Sequence, residues 1–265
     1  MKPFVGVLAA VSLACWTARA ERTQDTDAAD LPRAVGETIW FDSGDTNRGV
    51  CTPIGVQTIN GVTPPAGLLD GWAHTQAGFM TCNGSNQVVE APLADRITSL
   101  AATGTNGYFY DNQVVTTLST QTAVGFVEHT RDLRIPAGLT LTVNRGGVMF
   151  NGIDHFIRTT DAGGVQGGDL TTGLPSGELF LIANGGMTNY RIYRVCIRNN
   201  GTTPLILVKG GPDRIALDGP NTFTGGVVIN GGTLALVGDA TGNRLAANCR
   251  VTVTPSAMRS STWPT

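Results

Sequence analysis

Val208-Lys209-Gly210-Gly211-Pro212-Asp213-Arg214-Ile215-Ala216-Leu217-Asp218-Gly219-Pro220-Asn221-Thr222-Phe223-Thr224-Gly225-Gly226-Val227-Val228-Ile229-Asn230-Gly231-Gly232-Thr233-Leu234-Ala235-Leu236-Val237-Gly238 is the stretch that decides the fold. Short aliphatic runs alternate here with clusters of Gly, Asn and Pro. Successive strand residues point to opposite faces, so Ile215 and Leu217 are predicted to face inward together, as are Val227 and Ile229, then Leu234 and Leu236. Asn221 to Gly226 reads as a corner. Asn221 bonds its own backbone, Gly225-Gly226 takes the sharp bend, and Phe223 covers the stack beside it. Gly231-Gly232 bends the chain again. An antiparallel sandwich would favour longer strands joined by two-residue turns. Short strands with Gly and Asn crowding the corners favour a parallel β-helix, whose coils stack through ladder hydrogen bonds and bury an aliphatic column.

The same punctuation extends outward. Upstream, β-rich runs recur at Leu139–Val143, Gly147–Phe150, Glu178–Ile182, Arg191–Ile197 and Leu205–Val208; downstream, at Arg250–Val253. Turn clusters such as Asn144-Arg145-Gly146 and Asn184-Gly185-Gly186 lie between them. These limits place a right-handed parallel β-helix over 136–254. Residues 36–135 hold short apolar runs at Thr38–Phe41, Gln87–Val89, Gly107–Tyr110 and Gln113–Val115, which read as strands, with one plausible helical turn or two in Ala91–Ala102. The form of this β-rich region is left open by its pattern. Residues 21–35 are polar and acidic and read as a flexible start; 255–265 read as a polar tail.

The 208–238 stretch closely resembles the autotransporter-associated β-strand repeat of bacterial passenger domains. Lys209, Gly211, Leu217, Gly219, Asn221-Thr222-Phe223-Thr224-Gly225-Gly226, Ile229 and Gly231-Gly232-Thr233-Leu234 fall in register with that repeat. Asp213 stands where the family often has Gly, and Val228 takes a Thr-like position. The resemblance covers one repeat, and implies a secreted or cell-surface, non-catalytic protein with a structural or adhesin-like role. Its partner would be a surface ligand, protein or glycan. Complete proteins of this type resemble a long passenger followed by a membrane β-barrel. No series of ten-residue amphipathic strands follows here, so a shortened member is expected.

The N-terminus supports export. Lys2, the apolar run Phe4–Trp16 and Ala18-Arg19-Ala20 fit the three parts of a signal peptide, 1–20. The apolar run is too short to anchor in a bilayer as a helix, and the mature chain has no integral membrane segment of that kind. Cys15 follows Ser12-Leu13-Ala14, a poor lipoprotein cleavage site. Cleavage after Ala20 removes Lys2 and Arg19 and leaves 16 basic against 20 acidic residues. That balance gives no reason to expect a nucleic-acid partner. The location expected is extracellular, cell-surface or periplasmic. In such an oxidising compartment Cys51, Cys82, Cys196 and Cys249 are compatible with two disulfides, with Cys51–Cys82 and Cys196–Cys249 the pairing that keeps each bridge in one half of the chain. Four buried thiols are the plain alternative.

The alternative function is a β-helix polysaccharide lyase or hydrolase, which needs clustered carboxylates with Arg, Lys or His on one face. Asp154-His155 is the nearest candidate, but adjacent strand residues face opposite ways. His74 and His129 read as ordinary surface or partly buried residues. Gly163-Gly164-Val165-Gln166-Gly167-Gly168-Asp169 falls out of register with the calcium-binding nonapeptide and occurs once. Arg191, Arg194 and Arg198 form a small basic group; on one strand Arg191 and Arg194 would take opposite faces. No catalytic residue, cofactor or metal is therefore assigned.

Overall fold

The computed structural model describes residues 22–254 apart from 25–27, 42–53, 65, 86, 113, 153–154, 161–165, 187–189, 238–244 and 247–248. The expected signal peptide, Cys15, Cys51, Asp154, Gly163-Gly164-Val165 and the tail 255–265 lie outside the described residues. The chain is mainly β. One long sheet runs in sequence order through Arg96–Ile97, Tyr108–Tyr110, Thr122–His129, Thr140–Phe150, Glu178–Ala183, Ile206–Gly210, Gly226–Ile229 and Val251–Val253. A six-stranded short sheet runs through Thr116–Thr117, Leu133–Arg134, Phe156–Arg158, Tyr190–Tyr193, Arg214–Asp218 and Thr233–Leu236. All these pairings are parallel, and the chain visits the two sheets in turn. That is a parallel β-helix. A third side is built where Asp169–Thr172 pairs with Thr140–Val143 and with Cys196–Ile197.

The stack begins at Arg96 rather than at 136. The two runs expected at 139–143 and 147–150 form one 11-residue strand, bent within it. Gly146 makes that bend at φ 69°, and a Cβ there would sit 2.7 Å from the Glu178 carbonyl oxygen. Residues 21–35 are not simply a flexible start: Arg22–Gln24 and Ala28–Leu31 are strands paired with Ile39–Phe41 and Ile54–Ile59. The Ala91–Ala102 stretch holds a short 3-10 turn and one short α-helix, Leu100–Thr103.

Inside the coil, inward residues stack rung upon rung; of those predicted, Ile215, Leu217, Val227, Ile229 and Leu234 are buried, whereas Leu236, in register with Leu217, is exposed. Leu133, Ile157, Ile192 and Leu217 form one column, and Leu179, Leu207 and Val227 another; all are buried. The repeat residues close the coil as their chemistry requires. Asn221 donates to the Gly219 carbonyl at 3.1 Å and accepts from the Ile197 amide of the preceding rung at 3.0 Å. Phe223 lies inside the core. Lys209 faces inward on the long sheet and is fully buried, its ammonium donating to the Gly210, Gly211 and Gly231 carbonyls. A buried cation is tolerable only when its donors are used, and here corner carbonyls from two rungs use them.

A second core lies outside the coil. Phe126, Met149, Phe180, Ile182 and Val208 point away from the interior of the long sheet, yet all are buried. Leu31, from the segment read as a flexible start, and Ile39, Phe41, Trp72, Phe79 and Met80, from the region of open form, cover them. This cover layer is built from Arg22–Gln24, Ile39–Phe41 and Ala73–His74 in parallel, and from an adjoining five-stranded sheet with antiparallel pairs. Phe79 stacks on Phe126 at 4.5 Å between centroids. Glu178, almost fully buried, pairs with Arg33 and accepts from the Gly36 amide at 2.6 Å. Asn230 donates to the Gly36 carbonyl at 2.7 Å, and Asn184 to the Thr75 carbonyl at 3.0 Å.

Candidate functional site: the outer face of the short sheet

With the outer face of the long sheet covered, the outer face of the short sheet is the broad surface left open by the described residues. Tyr190–Tyr193 alternates buried and half-buried positions, with Tyr190 and Ile192 in and Arg191 and Tyr193 out; on the next rung outward Ala216 is itself buried between half-buried Arg214 and Asp218. Arg134, Arg158, Tyr193 and Asp218 stack as one outward column on successive rungs. Phe156, Arg191 and Ala216 form the column beside it. Rungs repeat about every 4.8 Å.

The charged groups on this face are held in place. Arg158 bonds Asp132 at 2.5 Å, and Asp132 also accepts from the Phe156 amide at 3.3 Å. Arg191 reaches Asp218 at 3.6 Å. In both pairs the acid is the deeper partner: Asp132 is 15% and Asp218 13% exposed, against 37% for Arg158 and 33% for Arg191. The Tyr193 ring carries two guanidiniums, Arg191 at 5.7 Å and Arg194 at 5.2 Å from its centroid. Such contacts orient the cation without neutralising it.

This arrangement corrects the sequence reading of the arginines. Arg194 takes φ 58°, so the chain turns a corner there instead of continuing as one strand. Arg191 and Arg194 therefore meet over the same ring. Arg198 leaves for the third side, where it bonds Asp169 at 2.9 Å and Thr140 at 3.1 Å. Arg158 and Tyr193 escaped sequence reasoning; their signal was an outward position in strands that alternate cleanly.

The histidines are not surface groups: His74, His129 and His155 are all buried. The His129 and His155 rings lie 6.4 Å apart between centroids. Nδ1 of His129 bonds the Arg131 carbonyl at 2.9 Å, and burial pulls its pKa down to about 4. Cys82, Cys196 and Cys249 are free thiols, so neither expected bridge is formed by these three; Cys196 lies 3.6 Å from the Thr222 hydroxyl. Burial raises the pKa of all three thiols. Where cover and coil meet at the first rungs, Glu128 accepts from Tyr108 at 2.7 Å, Arg96 at 2.9 Å and Asn151 at 3.1 Å. Burial raises the Glu128 pKa despite these donors. The network is centred on the buried Glu128 and Tyr108 and ties layers together. Among the described residues no group of three or more His, Cys, Asp or Glu is placed to hold a metal ion, and no helix is long and apolar enough to cross a membrane.

No protein-family model, curated protein or solved structure matches this chain.

Proposed function

We propose that this chain is an exported, non-catalytic β-helix protein of the bacterial autotransporter passenger type, acting at the cell surface as a stiff rod with a structural or adhesive role. The observation that carries this reading is the division of labour between faces. One outer face is consumed by an internal cover, while the other presents fixed side chains on successive rungs. The part each repeat residue takes in closing a coil adds support: Lys209 and Asn221 saturate corner groups, and Gly219, Gly225 and Gly232 let rungs approach closely. A Cβ at these glycines would lie 2.3 to 2.6 Å from carbonyl oxygens of the rung below.

The test is to express the full chain in a Gram-negative host and follow its fate. The expected outcome is a mature mass beginning at Glu21, recovery outside the cytoplasm, and adhesion of beads coated with the purified chain to host cells or matrix. A chain that keeps Met1 and stays in the cytoplasm would defeat the export reading. An exported chain whose beads adhere to nothing would leave only the structural role.

A further inference from the structure

We infer that the outer face of the short sheet binds a linear acidic polysaccharide, its carboxylate or sulfate groups seated on Arg158, Arg191 and Arg194. This deepens the adhesive reading and rests on it.

Three observations point to this ligand class. The first is charge asymmetry. The whole chain has 18 basic and 20 acidic residues. On this side and its corners, Arg131, Arg134, Arg158, Arg191, Arg194 and Arg214 outnumber Asp111, Asp132, Asp213 and Asp218 among the described residues. An electropositive strip attracts anions locally even on a protein whose acidic residues slightly outnumber its basic ones. The second is preorganisation. Asp132 and Asp218 lie beneath the guanidiniums of Arg158 and Arg191, and the Tyr193 ring holds those of Arg191 and Arg194. A guanidinium held in one orientation offers a planar pair of donors that matches a carboxylate or sulfate, with little ordering left to do on binding. The third is the mixture of roles. Sugar hydroxyls need acceptors as well as donors, and Asp132 and Asp218, still 15% and 13% exposed beneath Arg158 and Arg191, keep carboxylate oxygens beside the cations.

Duplex nucleic acid fits less well. Its phosphates run along two helical backbones and are bound by a broad field of Lys and Arg, whereas this face offers a few guanidiniums, two of them paired with Asp. Single strands want open aromatic faces for stacking, and both guanidiniums lie over the Tyr193 ring.

The experiment is calorimetric titration of the full chain with polygalacturonate, heparin, neutral dextran and a duplex DNA, at low and at physiological salt. Polygalacturonate tests carboxylate, heparin tests sulfate, and dextran tests backbone alone. The expected result is saturable binding to at least one acidic glycan, weakening with salt, and at least tenfold tighter than to dextran or DNA. Arg158→Gln and Arg191→Gln should each weaken it fivefold or more with an unchanged melting temperature. Arg198→Gln makes the same charge change on the third side and should alter affinity less than twofold. The inference is overturned by equal binding to dextran, by tighter binding to DNA, or by Arg198→Gln matching Arg191→Gln. It is also overturned if neither acidic glycan binds. In that case, beads that still adhere to cells would keep the adhesive reading and discard only this ligand. Binding by a chain that is never exported would do the reverse.

Discussion

The long sheet and the short sheet share one interior but differ completely on their outer faces. Glu178-Leu179-Phe180-Leu181-Ile182-Ala183 is buried at every position. Tyr190-Arg191-Ile192-Tyr193 alternates. A strand buried on both sides reads as a continuous apolar run, and one with a solvated face alternates. The cover over the long sheet is therefore written into the strands it covers. The two faces should respond differently to substitution, by stability on one and by binding on the other.

The largest effect is expected at Phe180, buried in the outer core, with the Arg33 guanidinium 5.3 Å from its ring centroid and 5.5 Å from that of Trp72 in the cover. Phe180→Ala removes a buried ring and leaves a cavity, a loss of about 3–5 kcal/mol in urea unfolding. If the loss were under about 1 kcal/mol, the cover would not pack as a core and the contrast between the faces would collapse.

Next is the interior corner at His129. Its folded pKa of about 4 lies below its ordinary 6.5. As pH falls below 6.5 the unfolded chain takes up a proton that the folded chain refuses until about pH 4. The stability that neutral His129 secures is thus full above pH 6.5 and lost between 6.5 and 4, about 3 kcal/mol in all. Asp111 and Asp132 resist this fall, and His155 adds to it. Glu128 and Asp70 act oppositely, because burial raises their pKa values and acid then favours the fold. The check is the difference between the parent and His129→Gln in urea titrations from pH 7 to pH 4. The parent should lose more stability on acidification than the variant; parallel curves would refute the assignment.

Smaller still is the polar fastening of the cover. Glu178→Gln removes the charge that Arg33 and the Gly36 amide both face. A buried partner left incompletely paired costs about 2 kcal/mol. Hydrogen exchange should rise first in residues 31–41, with amides of the short sheet unchanged. Uniform acceleration would mean that cover and coil unfold as one unit.

The repeat at 208–238 was legible because its information is local. Alternation sets the inward residues, and glycines mark corners whose carbonyls approach too closely for a Cβ. The cover was not legible, because Ile39, Phe41, Trp72 and Phe79 bury against rungs far along the chain and their strands are too short to show a period. The clue lay in the partner instead: Leu179–Ala183 has no polar position to give to water. The arginine face was half legible. The residues were visible, but a single positive φ at Arg194 decided which arginines share a surface, and an Arg is not the residue that announces such a turn.

The smallest stability effect is expected on the open face, and it gives the contrast its second half. Arg158 and Asp132 form an ion pair whose cation is 37% exposed. Partly exposed pairs of this kind contribute under about 1 kcal/mol, because water already solvates the guanidinium and the long side chain loses entropy in holding one pose. Arg158→Gln should therefore shift the urea midpoint hardly at all. Tyr193→Ala should do little more, since the half-buried ring lies outside the core and supports two guanidiniums rather than a neighbouring layer. A drop comparable to that of Phe180→Ala would mean that the short sheet, too, carries a structural partner on its outer side. If stability stays flat, the ordering of Arg158, Arg191 and Arg194 contributes nothing large to folding, and the contrast between the two outer faces stands.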